Sequence, residues 1–353
     1  MKNLFNLILL LSLLCEVLCY QCVDLNNKPV DWFYAYKLPL ESKHENTLIA
    51  TGAAYTYMTS NNYRSGWILS PKSINDTDSL VGLTLKPVFD LKNTNNGLYI
   101  LYNDEQPEGT VNFRKGHTKG TILANEKGGL WLLHSVPKFP STNAGSYFYP
   151  HNGYQYGQSF LCISFDLINL NLIGKQLQYN EPFIYEHNIP DSLMSTLPNI
   201  VDVINGRTMN GSRPFNLVNL NSINGTKFWS FAKGKHFNKD LYEDWVAPAF
   251  NSSLLVETWL NGAGRLPSDC KRMFHVQNIE SLTIKIANLS FSSSNDHSKW
   301  AVTPSDNSQF WTCIGDINRA KPQEKRGGGT VCFSNKNIAA AYQTSITTLE
   351  NCN

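Results

Sequence analysis

Two histidines in this chain each precede a lysine by two positions: His117 and Lys119 in GHTKG, His297 and Lys299 in DHSKW. An imidazole can attack phosphorus or carry a proton, and an ammonium can hold anionic oxygens. Eight His and 22 Lys in 353 residues give roughly half of one such pairing by chance, so the tripeptides alone decide little.

The flanks repeat as well. After His117 the chain reads HTKGTILANEKGGLWLLHSVP, and after His297 it reads HSKWAVTPSDNSQFWTCIGDIN. Each reads as a strand, a polar turn and an apolar strand. The second strand ends 17 residues after His117, at His134, and 18 after His297, at Gly315. A hairpin of matching length therefore recurs, as an internal duplication would leave it. On a strand, residues i and i+2 share a face, so each His projects with its Lys. Halves packed about a pseudo-two-fold axis would bring both pairs to one pocket. Two adjacent ammoniums call for an anion, and a phosphodiester fits. One imidazole would attack phosphorus to form a phosphohistidine. The other would protonate the leaving oxygen and then deprotonate water. The lysines would carry the charge that a metal otherwise carries, so no metal and no cofactor is expected. The pattern does not say which His attacks.

The elements that must position these groups are strand-rich. Strands are expected at 30–38, 50–59 and 97–104, and helices at 191–205, 239–250 and 336–349. The mixture implies an α/β (mixed α+β) fold, each half a β-sheet flanked by helices. The polar stretch 206–226 reads as a linker. It divides a first half, 20–205, from a second, 206–353, within one compact catalytic domain.

Residues 1–19 have the form of a secretory signal, with Lys2 before an apolar run that is too short to span a bilayer. No later stretch is apolar enough to span one, so a soluble chain of the secretory route is expected. Six cysteines remain in the mature chain, Cys22, Cys162, Cys270, Cys313, Cys332 and Cys352, an even set suited to disulfides. No Cys-x-x-Cys spacing suggests zinc. Sequons at Asn75, Asn210, Asn224, Asn251 and Asn288 are glycosylation candidates. Net charge is +2 with His neutral. No basic run announces nucleic acid, but protonation of the eight His in an acidic compartment would favour a phosphate-rich ligand.

A longer string of blocks narrows the reading: VDWFYAYKLP, LYND, GHTKG, LLHSVPKFP, YGQSFLC, GKQL, SFAK, DLY, DHSKW, WTCIGDINR and RGGGTVC, in that order from residue 30 to 332. This string resembles the deoxyribonuclease II (acid DNase) family of the phospholipase D-like superfamily. GDIN at 315–318 is similar to the superfamily's Gly-x-x-Asn-type element, while HSVP at 134–137 stands in its place in the first half. Regions 181–215 and 234–240 match less clearly. The resemblance implies a metal-independent, lysosomal or extracellular endonuclease that cuts double-stranded DNA to 3′-phosphate ends. It also implies a duplicated α/β fold with a central site, and the pairings Cys22–Cys162, Cys270–Cys352 and Cys313–Cys332. Homodimerisation is left open.

His134 is expected either as a third active-site imidazole or as a core His orienting its neighbours. Asp316, Asn318 and Glu324 are expected to hold imidazole tautomers, with turn chemistry as the competing reading. RGGG at 326–329 is expected to turn the chain, and Trp32, Trp131 and Trp311 to lie in the core. Two other functions fit the same motifs less fully. They are a phospholipase D-like enzyme acting on lipid headgroups, which an assay on DNA against phospholipid separates, and a glycosylated binding module indifferent to loss of both motif His.

Overall fold

The computed structural model describes residues 19–92, 94, 96–209 and 213–352. The signal reading, apart from Cys19, and the sequon at Asn210 lie outside the described residues. Strands are numbered in chain order. A ribbon pairs β1 (Cys22–Val23) with β2 (Pro29–Val30). The first large sheet takes β3 (Trp32–Lys37), β4 (Tyr55–Thr59), β5 (Ile68–Leu69), β6 (Leu98–Asn103), β7 (Lys119–Asn125), β8 (Gly128–His134), β9 (Gln158–Phe165) and β10 (Ile184–Asn188). Their spatial order is β10-β6-β7-β8-β9-β3-β4-β5. The second takes β11 (Phe215–Asn221), β12 (Lys227–Lys233), β13 (Leu254–Glu257), β14 (Val276–Ile284), β15 (Leu289–Ser292), β16 (Trp300–Val302), β17 (Trp311–Gly315) and β18 (Gly328–Ser334). Their order is β11-β12-β18-β17-β16-β13-β14-β15, and β19 (Ile346–Leu349) joins β14. The run β6-β7-β8-β9-β3 thus has its counterpart in β13-β16-β17-β18-β12.

Period-2 alternation decides what each strand buries. In β3, Trp32, Tyr34 and Tyr36 enter a central core, while Phe33 and Ala35 enter an outer one. In β18, Val331 and Phe333 face the central core and Cys332 a second outer core. The central core merges side chains of both sheets with helix Leu167–Asn180, through Leu170, Ile173 and Leu177, and with helix Lys336–Gln343, through Ile338 and Tyr342. Helix Leu80–Leu91 covers the outer face of the first sheet, and the helical turns 242–250 cover that of the second. Asp166 and Asn335 cap the two central helices through bonds to Asn169 N and to Asn337 N and Ile338 N. Each of these helices directly follows the strand that closes its half's β7-β8-β9 or β16-β17-β18 run.

The mixed α+β class is as expected, and all three disulfide pairings are present, Cys22–Cys162, Cys270–Cys352 and Cys313–Cys332. Cys313 and Cys332 are direct partners across β17 and β18. Asn75, Asn224, Asn251 and Asn288 are all exposed. Several elements differ from expectation. Residues 50–53 are not strand, because Asn46 caps a short helix at Thr47–Ala50. The span 191–205 breaks into Asp191–Met194 and Pro198–Ile204, with Pro198 starting the second piece. The last helix stops at Gln343, and the β-branched ITTL that follows pairs as β19. The presumed linker contains β11. Trp32 and Trp131 are in the core, but Trp311 is half-buried and stacks on Phe250 at 3.9 Å between ring centroids.

Trp131 is 2% exposed in the central core, and its Nε1–H donates to the Tyr102 hydroxyl at 2.8 Å. Trp131→Ala is expected to cost about 3–5 kcal/mol in urea unfolding with disulfides intact. A loss under about 1 kcal/mol would show that this core does not carry the fold.

Candidate active site

The two His-x-Lys segments sit at equivalent places, His117 and His297 each just before the strand that runs next to the turn-and-return strand of its hairpin. The hairpins are β7-β8 and β16-β17. Each His is then held by the other half. His117 N–H donates to Gly327 O at 2.8 Å, and its Nδ1 lies 2.5 Å from Asp316 O. His297 N–H donates to Gly157 O at 2.9 Å, and its Nδ1 lies 3.0 Å from Ser135 O and 3.3 Å from Gln158 Oε1. Gly327 and Gly157 immediately precede β18 and β9, and Asp316 and Ser135 immediately follow β17 and β8. The exchange is thus reciprocal. A carbonyl can only accept, so each Nδ1 carries the proton and each Nε2 is left with its lone pair.

Both glycines are needed for close approach. A Cβ on Gly157 would lie 2.4 Å from Asp296 Oδ1, and one on Gly327 would lie 2.3 Å from Asn180 O. RGGG therefore does more than turn the chain. Gly328, at φ +151°, opens β18, Gly327 holds His117, and Arg326 reaches Asp104.

Lys119 pairs with Asp104, both buried, and Arg326 donates to the second Asp104 oxygen at 3.1 Å. Burial works against ionisation of Asp104, yet Lys119, His117 and Arg326 hold its carboxyl below the usual range. Lys299 donates to His297 O, and among the described residues no carboxylate lies within ion-pair distance of it. Burial, then Lys119, lowers Lys299 to about 7. Beneath it lie two fully buried acids: Glu257, bonded by Ser293, and Asp296, bonded by Tyr36 and Ser298. Burial raises both carboxyls.

Burial, then the adjacent lysine, pushes each motif His well below its ordinary range. Lys119 leads for His117 and Lys299 for His297. Lys299 also acts on His117, and Lys119 and His117 act on His297. The four groups thus share one electrostatic site.

His134 is buried between Phe139 and Phe160, and its Nδ1 accepts from Val136 N–H at 3.2 Å. Burial, then Lys119, takes it down to about 3, and its buried Nε2 is unpartnered among the described residues. Asp316 does hold His117, but through its backbone carbonyl. Its carboxylate accepts instead from the Thr118 hydroxyl at 2.7 Å and from Lys119 N–H at 3.3 Å. Asn318 makes no hydrogen bond to either imidazole, and its buried Oδ1 is unpartnered among the described residues. Glu324 departs from expectation. Its carboxylate pairs with the exposed Lys321 at 2.9 Å, away from the imidazoles, because it sits on the outer turn Lys321–Lys325.

Sequence reasoning missed Asp104, Arg326, Glu257 and Asp296. Asp104 and Arg326 both stand inside blocks that carried the resemblance, LYND and RGGGTVC, and were legible there only as block members.

The sequence model of Deoxyribonuclease II matches residues 21–352. The chain belongs to the deoxyribonuclease II family. It is 39% identical to plancitoxin-1 of Acanthaster planci over 94% of this chain and 92% of that one. It is 36% identical to deoxyribonuclease-2-alpha of Mus musculus over 98% and 97%, and 35% identical to deoxyribonuclease-2 of Caenorhabditis elegans over 98% and 97%.

Burial pushes the Asp316 carboxyl up to about 7, against the Thr118 bond and the Lys119 charge. As pH rises through 7, Lys299 loses its positive charge and Asp316 gains a negative one. Both changes oppose an anionic ligand, so together they should add up to two protons to the slope with which kcat/KM on DNA falls above neutrality. Asp316→Asn, which keeps an acceptor for Lys119 N–H, should reduce that slope by one. An unchanged limb in D316N would exclude Asp316 from the profile.

Proposed function

We propose that this deoxyribonuclease II family member is an acid endodeoxyribonuclease that hydrolyses double-stranded DNA through a phosphohistidine. The two halves, 20–205 and 206–353, act as one phospholipase D-like catalytic domain on the secretory or lysosomal route. The observation that supports this reading most is the reciprocal clasp, which fixes both imidazoles with Nε2 free.

Nε2 of one imidazole attacks phosphorus, and the bond to the 5′-oxygen breaks. The other imidazole, protonated, gives its Nε2 proton to that oxygen. Now neutral, it takes a proton from water, whose oxygen attacks the phosphohistidine. The N–P bond breaks, a 3′-phosphate leaves, and both imidazoles return to their starting forms. Lys119 and Lys299 hold the non-bridging oxygens through both steps. Acid is needed because two imidazoles lowered by burial and lysine must keep one proton between them, and bound phosphate raises them in compensation. Among the described residues no helix is long and apolar enough to cross a membrane.

His117→Ala and His297→Ala should each lower plasmid cleavage at acidic pH by about 10³-fold or more, because neither role can be filled by the other histidine. Near-normal turnover in either variant would end the two-histidine mechanism. The products should resist polymerase extension until phosphatase treatment, and chelator should leave the rate unchanged. Ends that extend directly would carry 3′-hydroxyls and exclude this route.

A further inference from the structure

We infer that Lys37 and Lys233 are a second, duplicated pair of lysines that position the imidazoles across the halves, Lys37 acting on His297 and Lys233 on His117. The inference rests on the proposed role of those two histidines.

Lys37 ends β3 and Lys233 ends β12, the counterpart strands, and both are 0% exposed. A buried lysine ordinarily has a carboxylate partner. Among the described residues neither has one within ion-pair distance, and both donate to backbone carbonyls. Lys37 Nζ donates to Tyr154 O at 2.6 Å. Lys233 Nζ donates to Gln323 O at 2.8 Å, to Arg326 O at 2.6 Å and, at 3.4 Å, to Glu324 O.

The register makes the two arrangements equivalent. Lys37 is the strand partner of Gln158, and Lys233 that of Gly328, each one residue beyond the glycine whose carbonyl takes the opposite half's His N–H. The carbonyls the lysines hold belong to the loops 154–157 and 323–327 that carry those glycines. Each ammonium therefore fixes the loop, the loop places the glycine carbonyl, and the carbonyl places the histidine.

The charge state is compatible with this task. Burial lowers Lys37 well below its usual range against the pull of Asp296, and lowers Lys233 to about 7 against Asp240 and Glu324. An uncharged amine still donates N–H bonds to carbonyls, so the clasp does not require the cation.

The test is Lys37→Met and Lys233→Met in the full chain, each checked by thermal unfolding. The imidazole nitrogen resonances of His117 and His297, assigned with the single His→Ala variants, are read without substrate. Lys233→Met should shift His117 and leave His297 in place; Lys37→Met should do the converse. Each should lower kcat by about 10–100-fold with little change in KM, as misplacement of a reacting group does. Lys→Gln, which keeps a donor on a shorter arm, should fall between, and it serves in place of any Met variant that does not fold. Shifts confined to the lysine's own half, or an unchanged kcat in a folded variant, would overturn the inference. The crosswise shifts do not depend on catalysis. If they appear while His117→Ala and His297→Ala retain activity, it is the proposed mechanism that fails, and the clasp stands.

Discussion

The site depends on one constraint: neither half holds its own histidine. His117 is fixed by Gly327 O and Asp316 O, and His297 by Gly157 O and Ser135 O. Backbone carbonyls are suited to this because they cannot donate, so the tautomer follows from the contact. They are also placed by strand ends rather than by rotamers, and strands in packed sheets move little. The central core that joins the two sheets is therefore part of the site. A shift of one sheet on the other would displace both imidazoles at once.

Concentrating Lys119, Lys299 and Arg326 with two imidazoles in a buried space is costly, since unpaired charge in low dielectric is unstable. The structure meets this cost unevenly. Asp104 stays ionised between Lys119 and Arg326 and neutralises part of the charge. Around Lys299 the acids Glu257 and Asp296 are buried and burial raises both carboxyls, while the pull of Asp296 on Lys299 is outweighed by burial and by Lys119. Lys299 responds by losing its proton near pH 7.

The sequence made some of this legible. Spacing gave the β7-β8 and β16-β17 hairpins, because alternation along a strand is a local property. The expected meeting of the two His-x-Lys pairs rested on the duplication, and His117, His297 and Lys299 lie just outside those strands. The β3 strand was visible for the same reason. What stayed hidden was long-range. Nothing near Asp104 says that Arg326, 222 residues away, shares its carboxylate. Asp316 was expected to act through its carboxylate, because a sequence displays side chains and not carbonyls. Glu324 was misjudged since on the turn Lys321–Lys325 its carboxylate pairs with Lys321, three residues back, while its carbonyl faces Lys233. The break at Pro198 and the strand β19 were local signals overridden in a window chosen for helical spacing.

Geometric symmetry and electrostatic asymmetry thus do different work. In the proposed mechanism the duplicated scaffold supplies two Nε2 atoms to one phosphorus, one for attack and one for proton transfer. Even in equivalent surroundings two neighbouring imidazoles repel each other's protons and titrate in two steps, so a form with one proton is populated; unequal surroundings decide which imidazole holds it. An ionised Asp104 acts on His117, opposing the lysines, whereas no carboxylate among the leading influences on His297 does so. The divergence of the halves at Asp104 and at the Glu257–Asp296 pair makes the surroundings of the two imidazoles unequal while the carbonyl clasps keep their backbone contacts equivalent. That combination explains why the backbone contacts repeat across the halves so closely when the charged residues around them do not.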